Sequence, residues 1–238
     1  MILWLGDIHA DFYVLKAIFK KAKEDGTLDA PVTIIQVGDF GWSPTFLNSM
    51  LPELPWPVYA IDGNHEYHPM LKGMDKVTEV KPNLFYVPRG TVLNIDGYNI
   101  GFMGGAHSVD KKWRQFGVDW WPEEEVTEQN INQMLAKVKS VDILVTHCPP
   151  KNFILRTFGP INKAYWGLSH DWEDISALYI EKLWGELGMP PIICGHMHRT
   201  VVDGQCRMLD VNEMLFLQPG MKPVDWYEVA RENHEKSK

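Results

Sequence analysis

Cysteine is scarce: of 238 residues only Cys148, Cys194 and Cys206 carry thiols, and none shows Cys-x-x-Cys spacing. Three thiols cannot all pair, so a disulfide framework is excluded and a reducing cytoplasm is the expected compartment. Long apolar runs are missing as well. None approaches the ~20 residues a membrane-crossing helix needs, and Met1 leads straight into strand-like sequence, so neither a membrane partner nor a signal peptide is expected. Positive charge is in deficit, with 23 Lys and Arg against 31 Asp and Glu and a formal net charge of −8. Broad, nonspecific nucleic-acid binding needs phosphate-neutralising cations, so this balance argues against it while leaving room for a local basic site. Repeats and low-complexity tracts are absent too. What is there, 45% hydrophobic and 23% charged residues, suits an ordinary globular protein, and the expectation is one domain over 1–238.

Short apolar, β-branched runs recur at 2–5, 32–37, 58–61, 99–103, 143–146, 191–194, 207–211 and 214–217. Several are apolar throughout, as strands buried on both faces would be. Between them, Phe12, Leu15, Ile18, Phe19 and Ala22 keep helical spacing up to a stop signal at Gly26. Ile131, Met134, Leu135 and Val138 form a second stripe, and Asp171 is placed to cap a third helix ending near Leu187. This alternation predicts a layered α/β fold with helices over a sheet. Residues 200–217 read as a closing meander and 231–238 as a frayed polar end. Two stretches, 104–125 and 148–170, break the alternation and read as insert loops that are functional or carry small elements of their own.

The polar residues are arranged less like accidents. Asp7 and His9 follow the first strand through Gly6. Asp39 follows the second in "IIQVGDF", and Asn64, His65 and Glu66 the third in "VYAIDGNHE". His147 ends "DILVTH", and His196 and His198 end "PIICGHMH". Alternate residues of an extended segment point the same way, and carboxyl ends of strands form the usual ligand crevice of open α/β sheets. Five strands delivering Asp, Asn or His at one kind of position describe a site. Asp7, His9, Asp39, Asn64, His147, His196 and His198 offer mixed nitrogen and oxygen donors, which suit Mn²⁺, Fe, Zn²⁺ or Ni²⁺ better than Ca²⁺. Seven donors are too many for one tetrahedral site but suit two ions sharing a carboxylate. Two divalent ions against two carboxylates leave a positive centre that attracts phosphate.

The motifs "GDIH", "GD", "GNHE", "TH" and "GHMH" occur in the order seen in calcineurin-like metallophosphoesterases, which the chain resembles from Gly6 to His198. The resemblance implies a β-sandwich flanked by helices and two divalent transition metals, Mn²⁺ first. It would place Asp7, His9 and His198 on one ion, Asn64, His147 and His196 on the other, and Asp39 between them. His65 would be the acid beside the leaving group, with Glu66 as its orienting partner. Protein serine/threonine phosphatases of this superfamily continue the second motif as Gly-Asp-x-x-Asp-Arg-Gly. Here "GDFGWS" lacks that arginine, which points away from protein substrates. The stretch from "GGAHSVDKKWR" to "WWPEE" resembles a loop of bacterial and phage members.

Arg114, His107 and Arg199 are the candidate substrate contacts, since an Arg fork matches phosphate and His107 sits on the Gly-Gly loop. Trp42, Trp113, Trp120, Trp121, Trp166 and Trp172 could stack a planar group, but packing is expected for about four of the six. Cys148 and Cys194 are expected as buried, inert thiols. The expected function is hydrolysis of phosphate esters, leaning to phosphodiesters or nucleotide-like substrates. A phosphomonoesterase, a serine/threonine protein phosphatase and a non-catalytic metal-binding scaffold are the alternatives.

Overall fold

Ile2 and Trp4 face one side of the first strand and Leu3 and Leu5 the other, and all four are buried. A strand apolar on both sides needs a cover on each. The computed structural model, which describes residues 1–217, supplies a second sheet on one side and helices on the other. In chain order the first half contains β1 (Ile2–Leu5), α1 (Tyr13–Glu24), β2 (Thr33–Gln36), α2 (Pro44–Ser49), β3 (Val58–Ala60), α3 (His68–Leu71), β4 (Thr78–Lys81), β5 (Leu84–Tyr86), β6 (Thr91–Ile95) and β7 (Tyr98–Met103). The second half contains α4 (Glu128–Leu135), β8 (Ile143–Thr146), α5 (Lys151–Phe158), α6 (Lys163–Trp166), α7 (Ile175–Glu186), β9 (Ile192–Cys194), β10 (Val201–Asp203), β11 (Cys206–Met208) and β12 (Met214–Leu217).

The strands form two six-stranded sheets, ordered β12-β1-β2-β3-β5-β4 and β10-β11-β9-β8-β7-β6. Each has four parallel strands in the middle and one antiparallel strand at either edge. Trp4, Ile35 and Ile61 meet Ile100, Phe102, Val145 and Ile193 between the sheets. Outside the first sheet, Leu15, Ile18, Phe19 and Ala22 of α1 pack on Leu3, Leu5 and Ile34. Outside the second, Ile131 and Met134 of α4, Phe153 of α5 and Ile180 and Leu183 of α7 cover Leu144 and Ile192. The result is the expected α/β sandwich flanked by helices.

Several details differ from the sequence reading. Asp174, not Asp171, caps α7, its carboxylate accepting from Ala177 N at 2.9 Å. Residues 200–217 are not one meander. β10 and β11 edge the second sheet as a hairpin, whereas β12 joins the first beside β1. Strands β4, β5 and β6 were not anticipated. The β6–β7 hairpin turns at Asp96 and Gly97, with φ of 50° and 87°, the left-handed pair of a type I′ turn. The stretch 148–170 contains α5 and α6, and 104–125 contains two 3₁₀ turns, Lys111–Trp113 and Pro122–Glu124. The frayed end expected at 231–238 lies outside the described residues. No helix among the described residues is long and apolar enough to cross a membrane.

Candidate metal centre

The parallel strands of both sheets end at one edge of the sandwich, and their trailing residues meet there. Beyond β1, β2 and β9, one donor atom each from Asp7, His9, Asp39 and His198 lies within 4.8 Å of the others. His198 Nε2 stands 3.4 Å from Asp7 Oδ2, His9 Nε2 3.8 Å from Asp39 Oδ2, and the two imidazole nitrogens 3.0 Å apart. A second group adjoins the first through Asp39. His147 Nε2 is 3.3 Å from Asp39 Oδ2 and 3.2 Å from Asn64 Oδ1, which also lies 3.0 Å from His196 Nδ1. All seven expected donors are therefore brought together, in two sets that share Asp39.

The donor atoms fit a cation. Asp7 Oδ1 and Asp39 Oδ2 are buried without a hydrogen-bond donor among the described residues, and Asp39 Oδ2 is the atom that faces both His9 and His147. Such atoms are costly unless a positive charge meets them. Without metal, that charge falls on histidine. Burial would lower the His147 pKa, but Asp39 and Asp7 push it up to about 10. Burial would raise Asp39, yet His147, His65 and His9 hold its carboxyl well below the usual range. His198 is raised by its bond to Asp7, while burial and the charge on His147 push His196 well down.

The backbone is shaped around these groups. His9, Asp39, His196 and His198 have φ of 45°, 54°, 75° and 50°, a conformation that costs a non-glycine residue about 1–3 kcal/mol and clusters at functional sites. A Cβ on Gly63 would strike the Asp39 carboxylate, and one on Gly195 the Asp7 carboxylate. Neighbouring groups fix the donors. His147 Nδ1 donates to Val37 O at 3.0 Å when neutral, which leaves the Nε2 lone pair facing Asp39 and Asn64. Asn64 Nδ2 donates to Ser108 Oγ at 3.0 Å, so the amide oxygen turns inward. Ser108 N in turn donates to buried Glu124 at 2.9 Å, whose carboxyl burial raises to about 7. Gln36 ties two strand ends together, donating to Gly6 O at 3.1 Å and accepting from Gly38 N at 3.0 Å.

His65 and Arg114 stand beside the cluster. Arg114 Nη2 lies 2.7 Å from His65 Nε2 and Nη1 donates to Asn64 O at 3.2 Å, while Asp110 pairs with the guanidinium at 2.9 Å. Burial lowers the His65 pKa, Asp39 opposes this, and Arg114 adds to it.

Three other candidates are engaged elsewhere. The buried Glu66 carboxylate accepts from the backbone N–H groups of Phe40, Gly41 and Trp42 at 2.8, 3.0 and 2.6 Å, and no contact with His65 is among its bonds. Burial and nearby Asp39 push its pKa up to about 8 against those donors. His107 bonds Glu125 through Nδ1 at 2.8 Å and accepts from Trp172 Nε1 at 3.2 Å. Arg199 is exposed, its guanidinium 5.9 Å from the Phe158 ring centre.

Ser108, Glu124 and Gln36 escaped the sequence reading. Only Gln36 carries a local signal, as the lone amide within an apolar strand. Cys148 and Cys194 are buried, as expected. Trp42 and Trp121 are core residues and Trp120 bonds Glu124. Trp113, Trp166 and Trp172 instead line a cavity of about 870 Å³ that opens beside Asn64, His65, His196 and His198.

Comparison with known proteins agrees with this geometry. No curated protein matches the chain. The family model described as calcineurin-like phosphoesterase matches residues 1–200, a span that holds every donor in the cluster. The chain belongs to the calcineurin-like phosphoesterase family.

Proposed function

We propose that the protein is a dinuclear metal-dependent hydrolase of phosphate esters that prefers phosphodiesters or small nucleotide-like phosphates to phosphoserine or phosphothreonine in proteins. The observation that carries this reading is the meeting of two donor sets on one carboxylate, Asp39. Asp7, His9 and His198 would complete one site and Asn64, His147 and His196 the other. Mn²⁺ is the favoured ion, with Fe, Zn²⁺ and Ni²⁺ as alternatives. Bound there, divalent ions supply Lewis-acid charge to phosphate oxygens and lower the pKa of water.

The remaining steps belong to side chains. Arg114 is held by Asp110 with its guanidinium at the edge of the cluster, placed to pair with a non-bridging phosphate oxygen. His65 Nε2 accepts from Arg114 in the resting arrangement, so it is free to carry a proton only when the guanidinium turns to the phosphate. His65 then protonates the leaving alkoxide, general-acid help worth about 10²–10⁴-fold. Glu66 holds the 40–42 turn against Gly63 and keeps Asp39 and His65 in place without touching substrate. One arginine suits the single charge of a diester. The second motif adds none, so a terminal dianion on a protein surface would be poorly clamped.

The test compares kcat/KM for an aryl diester, a nucleotide monoester and a phosphopeptide on manganese-loaded protein and after chelation. The expected result is metal-dependent hydrolysis with the phosphopeptide slowest. Full activity after chelation refutes the metal dependence, and a phosphopeptide preference refutes the substrate class.

A further inference from the structure

The cavity beside the metal centre is far larger than a phosphate requires. At about 870 Å³ it falls in the range of sites that enclose whole small molecules. Its polar end is Asn64, His65, His196 and His198; its other walls are Ile154, Leu155 and Phe158 of α5 together with Trp113, Trp166 and Trp172. The aromatic walls hold one another in place. Trp113 and Trp166 meet edge to face with ring centres 5.5 Å apart, and Lys112 bonds Tyr165 O, joining the 104–125 stretch to α6. Trp172 is fixed through its indole N–H by His107, which Glu125 holds in turn.

The two lysines that line the cavity already have partners. Lys151 Nζ lies 3.1 Å from Glu173, and Lys163 Nζ donates to His170 O at 2.7 Å. Arg114, beside the metal centre, is bound to Asp110. The wall therefore offers aromatic and aliphatic surface to a substrate but no unengaged lysine to a second anion.

We infer that this cavity binds the organic part of the substrate, and that this part is an uncharged planar ring such as an aryl or nucleoside group. The inference rests on the phosphoesterase reading and deepens it: the phosphate lies at the strand ends, and the ring enters the slot between α5 and the tryptophans. A polyphosphate chain or an anionic peptide would meet an apolar wall with its cations engaged. A planar ring buries apolar area and can stack on Trp166, a contact of the kind that retains bases on aromatic platforms.

The experiment uses phosphonates, whose P–C bond is not hydrolysed, so binding is read without turnover. Affinities of phenylphosphonate and methylphosphonate for the manganese-loaded protein are measured by calorimetry, with 4-carboxyphenylphosphonate as the charged comparison. Phenylphosphonate is expected to bind about 10-fold tighter than methylphosphonate or better, the gain expected for burying one ring. The carboxylate analogue is expected to forfeit that gain. In Trp166→Ala and in Leu155→Ala, the second at an exposed wall position, the phenyl-to-methyl ratio should fall toward one. A smaller folded fraction lowers the stoichiometry for both ligands and not the ratio of their affinities, and retained methylphosphonate binding shows that the site is intact. Equal affinities in the wild type, a ratio untouched in both variants, or tighter binding of the carboxylate analogue would each overturn the inference. Chelation is read separately: a phenyl preference that survives it keeps the slot and removes the metal-held phosphate.

Discussion

Arg114 Nη2 stands 2.7 Å from His65 Nε2, and the same guanidinium reaches the backbone carbonyl of Asn64. One cation thus spans the candidate acid and a residue of the candidate metal site. On the proposed function, removing it takes away both the phosphate contact and the neighbour of His65. Arg114→Ala should lower kcat/KM for an aryl diester by about 10–100-fold, the usual cost of losing an orienting neighbour. Unchanged kcat/KM would detach Arg114 from the reaction.

The proposed function makes His65 an acid and not a donor to the metals. His65→Ala should therefore retain its metal while losing about 10²–10⁴-fold in rate, with a smaller loss for aryl leaving groups than for alkyl ones. Elemental analysis beside the rate separates the roles, because loss of metal would make His65 a ligand.

Ser108 is the partner that turns the Asn64 amide oxygen inward. Ser108→Ala should weaken one metal equivalent by about 10–100-fold and spare the other. A competition titration with a metal-sensitive dye reads the two equivalents, and uniform weakening or none would remove Ser108 from this role.

His147 gives a pH dependence with a defined sign. Its folded pKa, raised to about 10 by Asp39 and Asp7, lies above its ordinary value of 6.5. Its stabilisation of the metal-free protein is thus complete below about pH 6.5 and lost as pH climbs toward 10. The melting temperature of chelated protein should fall over that window relative to manganese-loaded protein, in which metal replaces the proton. A constant gap between the two forms from pH 6.5 to 10 would contradict the assignment.

Glu66 satisfies three buried backbone donors of the 40–42 turn. Glu66→Ala leaves them unpaired and should cost about 3 kcal/mol or more of stability, whereas Glu66→Gln keeps an acceptor and should cost less. Denaturant unfolding checks the order, and equal stability of Glu66→Ala and wild type would reject it.

Part of this arrangement is disclosed by the chain itself. The seven candidate donors are legible because each follows a buried strand beside a glycine or a short turn, so the local pattern already marks the strand ends where the structure brings them together. The Asp96–Gly97 pair is a turn signal that the strand pattern left unused, and β6 was missed with it. Asp171 was the expected cap of the last helix, but the chain enters α7 three residues later and Asp174 takes that place. Glu66 was expected to orient His65 on the strength of the family resemblance of the "GNHE" motif. The chain bends through 64–66, and the Glu66 carboxylate turns to the 40–42 backbone instead. Ser108 supports Asn64 from 44 positions away, a contact that no local period encodes. The tryptophans divided three and three, not four and two, because α5 and α6 form a wall that leaves Trp113, Trp166 and Trp172 facing a cavity.

Metal stoichiometry in wild type and Asp39→Asn tests the central claim most directly. Two donor sets sharing one carboxylate predict two equivalents of divalent metal per wild-type chain by elemental analysis. They also predict that Asp39→Asn weakens both equivalents together and loses phosphodiester hydrolysis with them. A single equivalent in wild type, or an Asp39→Asn protein that keeps two tightly bound ions, would contradict the account.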